Sequence, residues 1–111
     1  MLEKLSRKLP QSVVDAINIF LKNLVEKIGD AEVYLFGSYA RGDWIEDSDI
    51  DLVVISPRFG DTPLCDRMVM LRRLAPDIHA FEIFAYTPEE FEEAKYSIII
   101  GDAMEYWIKL L

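Results

Sequence analysis

The stretch GSYARGDWIEDSDIDLVVI, Gly37 to Ile55, limits this chain more than any other. It sets two acids, Asp49 and Asp51, inside the most β-favouring run of the sequence, shortly after a Gly-Ser turn. Side chains two apart in a strand share a face, so both carboxylates point the same way, with Cα atoms about 6.5 Å apart. Like charges held that close need a cation or strong hydrogen bonds. The alternative is that Asp49 caps the turn and Asp51 sits solvated at the strand end. Spacing alone leaves both readings open.

The flanking periodicities supply the rest of the architecture. Pro10 to Gly29 reads as a helix, because Val14, Ile17, Leu21, Leu24 and Ile28 recur at helical spacing and Gly29 suits the position just past its end. Ala31–Phe36 (AEVYLF) is β-branched and aromatic, a strand. GSYARGD then forms a turn with room for one helical turn, and Asp49–Ile55 is a second strand stopped by Ser56-Pro57. Asp61–Ala75 is expected to be a helix capped by Thr62, with Pro63 in its first turn and Leu64, Met68, Leu71 and Ala75 as its apolar stripe. Ile78–Tyr86 is a third strand. Thr87 caps a further helix, with Pro88 first and acids in its first turn. The tail from Ser97 reads as helix, then strand through Tyr106 to Leu110. This order predicts an α/β fold, a small mixed β-sheet flanked by helices, with the first two strands pairing across the Gly37–Ser48 loop.

Composition narrows the function classes. The 111 residues suit one domain, and 51% hydrophobic content supports a packed core. So short a chain has no room for a second, acceptor-binding domain; a large cleft needs a partner or a second copy, a homo- or hetero-oligomer. The net charge of −8 disfavours direct nucleic-acid binding, which needs clustered Lys and Arg. It favours a basic protein partner or a metal-bound nucleotide, whose metal brings the positive charge. The single cysteine, Cys65, excludes an internal disulfide and a Cys-based zinc site, and its helical setting predicts a small core residue. No signal peptide or membrane-length apolar run is present, so a cytoplasmic protein is expected, with no membrane partner.

Gly37-Ser38 gives the paired acids a counterpart. A Gly directly after a strand lets the backbone approach a phosphate, the next residues can open a helix whose N–H groups face an anion, and Ser38 adds a hydroxyl donor. One loop then serves phosphate and one strand serves metal. Two carboxylates with substrate phosphates are a common Mg²⁺ ligand set.

Gly37-Ser38, ten residues, then Asp49-Ile50-Asp51 resembles the signature of the nucleotidyltransferase superfamily related to DNA polymerase β. The longer strings G-S-x-A-R-G and S-D-x-D-L resemble its minimal nucleotidyltransferase branch, which includes small antitoxins paired with HEPN-domain ribonuclease toxins. The resemblance implies one minimal nucleotidyltransferase domain over residues 1–111. It implies two Mg²⁺ ions held by three carboxylates, and attack of a hydroxyl on the α-phosphate of ATP or another nucleoside triphosphate. By motif match, Gly37 and Ser38 hold the triphosphate, and Asp49 and Asp51 are the first two metal ligands. The third acid falls on Glu82 in HAFEIFAYTPEEF, where many relatives carry Asp. Asp77, nearer the strand's start, is a poorer candidate.

Other residues have two readings each. Arg41 is in reach of a phosphate, or of Asp43 or Asp47. Ser48 stands beside Asp49, as a nucleotide contact or as a hydrogen-bonding brace for its own loop. His79, the only histidine, is expected in the third strand, out of phase with Glu82. Trp44 is placed to stack on a base or simply to pack. Three functions compete: transfer of a nucleotidyl group, AMP for preference, to a hydroxyl of a HEPN toxin partner; a sequestering module that neutralises a basic partner with little catalysis; and a small-molecule nucleotidyltransferase.

Overall fold

A computed structural model of the protein describes residues 9–111. The elements, in chain order, are α1 (Gln11–Ile28), β1 (Glu32–Phe36), the single-turn α2 (Ser38–Arg41), β2 (Ile50–Ile55), a 3₁₀ turn over Pro57–Asp61, α3 (Leu64–Leu74), β3 (Phe81–Tyr86), α4 (Pro88–Ala94), α5 (Ile98–Met104) and β4 (Ile108–Lys109). The four strands form one mixed sheet in the order β3-β2-β1-β4. β1 pairs antiparallel with β2 across the Gly37–Ser48 loop, as expected, while β2 and β3 run parallel with α3 in the crossover.

Strand alternation divides the sheet cleanly. Val33, Leu35, Ile50, Leu52, Val54, Phe81, Ile83 and Ala85 face one side and pack in one cluster with Val13, Ile17, Phe20 and Leu24 of α1 and Leu71 of α3. On the other side Phe36, Val53 and Ile55 meet Ile100 and Ala103 of α5, with Phe84, Phe91, Tyr106 and Trp107 around them. This second layer covers one end of its face. Toward the N-terminal ends of β2 and β3 the same face carries Asp51 and Glu82, which is where the site lies.

Several local expectations are corrected. α3 begins at Leu64, because Thr62 closes the preceding 3₁₀ turn and does not cap the helix. Of the expected stripe only Leu71 is buried; Leu64 and Met68 are exposed and Ala75 is partly buried. Arg67 is the other buried residue of α3. Its guanidinium donates to the Thr62 and Ala85 carbonyls and makes a bidentate pair with Glu90 at 2.5 and 3.1 Å. With Arg67 and Leu71 turned inward, Cys65 is rotated to solvent and is exposed, contrary to the core role expected of it. Glu90 is correspondingly more than a solvated helix-start acid: it closes the capping box with Thr87 and clamps α4 to α3. Its carboxyl is lowered to about 2, first by the Arg67 hydrogen bonds and then by the Thr87 backbone N–H. β3 starts at Phe81, so His79 lies in the bend before it, with Nε2 3.1 Å from the Ser12 hydroxyl of α1. Among the described residues no helix is long and apolar enough to cross a membrane.

Candidate active site

The site is built where β1 ends beside the start of β2. Phe36 pairs with Asp51, and Asp51 with Glu82, so the register sets Asp51 and Glu82 side by side on one face. Asp49 precedes β2 by one residue rather than lying inside it, and it is exposed. Burial pushes the Asp51 carboxyl up to about 6, helped by the negative charges of Glu82 and Asp49 and opposed by Arg41. Tyr39 is pushed up as well, by burial first and then by Asp47 and Asp49. Among the described residues none of Asp49, Asp51 and Glu82 has an ion-pair partner. Among the described residues Arg41 is the one positive charge that acts on Asp51, against the two negative charges of Glu82 and Asp49.

Gly37 is the second half of the site. It has φ +75°, the left-handed region that favours glycine. A Cβ built on it would lie 2.8 Å from the Asp51 carboxyl carbon and closer still to Oδ2. The turn and the acid strand are thus in contact, and only a residue without a side chain permits it. α2, which follows, is the single helical turn that the sequence has room for, so its dipole is small. The donors that face this corner are specific groups instead. The Gly37 N–H donates to the Tyr106 hydroxyl at 3.3 Å, and Arg41 Nη1 donates to the same oxygen at 3.0 Å. Arg41 Nε also reaches Asp43 at 3.2 Å, and its guanidinium carbon lies 5.4 Å from the centroid of the Tyr106 ring.

The remaining candidates fall to one side. The Ser48 hydroxyl accepts the Ile45 N–H at 2.9 Å, so it braces its loop, the second of its two readings. Trp44 stacks on Tyr39 with centroids 5.7 Å apart and packs against the core. A cavity of about 520 Å³ lies beside this loop, lined by Ser12, Tyr39, Trp44, Ser48 and His79 among others; the three acids are not in its wall, Asp49 and Glu82 being exposed and Asp51 half-buried. Tyr106 is the contact that sequence reasoning missed. It lies far along the chain from Gly37, in the tail read as helix and then strand from Tyr106; the strand begins only at Ile108, Tyr106 lies in the turn before it, and no spacing rule links the two.

Among the described residues no three His, Cys, Asp or Glu side chains enclose a metal ion as they stand. The donor set still suits a hard divalent cation. It consists of carboxylate oxygens, the charged form of its central member is disfavoured first by burial and then by Glu82 and Asp49, and a side-chain-free backbone lies against it. A cation would relieve the repulsion and draw the flanking carboxylates inward.

Comparison with known proteins agrees with this geometry. A candidate protein adenylyltransferase of Methanocaldococcus jannaschii is 41% identical over 54 residues, which are 47% of this chain and 35% of that protein; the match spans about a third of the relative. A crystal structure of a candidate nucleotidyltransferase from Sulfolobus solfataricus shares the fold with TM-score 0.56 at 24% identity, covering 78% of this chain and 82% of that one. A second candidate nucleotidyltransferase structure gives TM-score 0.53 at 27% identity, covering 71% and 86%. The family model for nucleotidyltransferase domains matches residues 17–106, taking in the Gly37 turn, both aspartates and Glu82 together, and the chain therefore belongs to the nucleotidyltransferase domain family.

Proposed function

We propose that the protein transfers a nucleoside monophosphate, AMP for preference, from a Mg²⁺-bound nucleoside triphosphate to a hydroxyl of a protein partner, and that the partner is a HEPN-type toxin which the modification neutralises. The observation that carries the chemistry is the contact of Gly37 with Asp51, with Glu82 alongside. It sets a side-chain-free backbone N–H and an arginine next to clustered carboxylates, the pairing a metal-chelated triphosphate needs.

In this reading Asp49, Asp51 and Glu82 hold the cations, and the Gly37 N–H, the Ser38 hydroxyl and Arg41 take the triphosphate. Bound divalent ions supply neutralisation of the phosphate charge and make the attacking hydroxyl more acidic. The acceptor hydroxyl gives its proton to water as its oxygen bonds to the α-phosphorus, the bond from that phosphorus to the α–β bridging oxygen breaks, and pyrophosphate leaves with that oxygen. The residues act by positioning, since the rate gain lies in holding the reacting atoms in line. Glu82 is one methylene longer than the Asp many relatives carry, and the register that pairs it with Asp51 supports its assignment as the third ligand. Asp49 and Glu82 are exposed, which leaves the site open to an acceptor on another protein, and the net charge of −8 favours a basic face on it. The relative named as a protein adenylyltransferase supports a protein acceptor.

The competing reading is a sequestering module without transfer, in which the net charge of −8 alone serves to bind a basic partner. One experiment separates the two. With Mg²⁺ and ATP, a cognate HEPN-type partner gains the mass of AMP on a hydroxyl side chain. The Asp49→Asn, Asp51→Asn protein still binds the partner and leaves its mass unchanged. Tight binding by wild type with no mass change under any nucleotide selects the module instead.

A further inference from the structure

The geometry points to the Tyr106 hydroxyl as an internal stand-in for phosphate: it occupies the Gly37 and Arg41 donors in the free protein, and a bound triphosphate must displace it. This inference rests on the nucleotide reading of the site. Tyr106 comes to the turn from the end of the chain, 69 residues from Gly37 and 65 from Arg41. Its ring is anchored in the second apolar layer with Phe36, Ile100 and Trp107, so the oxygen is held in place and has not drifted there.

The contacts identify the role. A phenolic oxygen has two acceptor sites, and the Gly37 N–H and Arg41 Nη1 both donate to it. A phosphate oxygen accepts the same two donors; its charge makes the Gly37 N–H bond roughly twice as strong and turns the Arg41 bond into a full ion pair. The Gly37 bond, at 3.3 Å, is beyond the usual N–H···O range and is easily exchanged. Tyr106 therefore keeps the turn and the arginine in their binding arrangement and competes for them with the incoming ligand. The energy of its two bonds is lost before phosphate is gained.

Tyr106→Phe separates these roles, because it removes the oxygen and keeps the ring under the guanidinium. The free variant melts lower than wild type, since two donors lose their acceptor. Its affinity for inorganic tripolyphosphate and for ATP, each with Mg²⁺ and measured by calorimetric titration, rises about fivefold, the worth of one net hydrogen bond, that of Arg41, since the long Gly37 contact adds little. A purely structural role would lower the melting point without tightening the ligand. Unchanged or weaker binding by the variant, with wild type binding normally, overturns the inference and leaves the nucleotide site standing. If neither protein binds either ligand, the nucleotide reading falls and this inference with it. Should the variant fail to fold, the wild type labelled with ¹⁵N-glycine decides: tripolyphosphate must move the Gly37 amide resonance, and an unmoved Gly37 amide overturns the displacement.

Discussion

Replacing Asp51 with Asn tests whether this corner is kept at a cost in stability. The carboxyl is raised from 3.8 to about 6 by burial, with Glu82 and Asp49 adding to the shift. At 1.36 kcal/mol per pKa unit the difference is roughly 3 kcal/mol. Asp51 is only partly buried, and solvent screening reduces this to about 1.5 kcal/mol. The folded state prefers the protonated acid. Below the unfolded value of 3.8 both states carry the proton and nothing is lost; the penalty grows as pH rises through that value and is complete above about 6. Asn has nearly the same shape and no charge. In chelator at pH 7.5 the Asp51→Asn protein should therefore melt about 5–10 °C above wild type, and the gap should close by pH 4 or just below. Calorimetric melts of both proteins from pH 3.5 to 8 measure it. A variant less stable than wild type at pH 7.5, or a gap that does not change with pH, refutes the reasoning.

Gly37→Ala combines a left-handed φ with a Cβ driven into the Asp51 carboxylate, so it should cost about 2 kcal/mol or more in urea unfolding and abolish nucleotide binding. Glu90→Ala strips the buried Arg67 of its carboxylate and opens the capping box, for a loss of about 2 kcal/mol near neutral pH. Glu90's folded value is depressed, so its stabilisation is complete above 4.5 and fades as pH falls toward about 2; the gap between the two proteins in unfolding experiments should narrow over that range. Cys65, exposed at the start of α3, should react with a thiol reagent in the folded protein nearly as fast as in urea, and strong protection would contradict its placement.

The parts legible in the sequence are those governed by local rules. α1 follows its apolar spacing and ends at Gly29, and Thr87 with Glu90 forms the capping box that its spacing announces. The pairing of β1 with β2 follows from a short connection between two β-favouring runs. What failed depended on contacts distant in sequence. Arg67 reads as an outward charge until Glu90, 23 residues on, and the carbonyls of Thr62 and Ala85 are known to satisfy it. With Arg67 and Leu71 on the inner face of α3, Cys65, Leu64 and Met68 lie at the surface. In the site, Gly37, Asp49 and Asp51 are legible from spacing and the family motif. The contact between Gly37 and Asp51, the Glu82 register and the Tyr106 hydroxyl are products of sheet pairing and of the returning tail.

The central claim is that the corner formed by Gly37, Asp49, Asp51 and Glu82 binds a metal-chelated triphosphate. Calorimetric titration of ATP into wild type and into the Asp49→Asn, Asp51→Asn protein, each with Mg²⁺ and with chelator, tests it most directly. The account predicts saturable binding by wild type in Mg²⁺ alone, with loss of that binding in chelator and in the double variant. Equal ATP binding by both proteins, or binding by wild type that is indifferent to Mg²⁺, would contradict it.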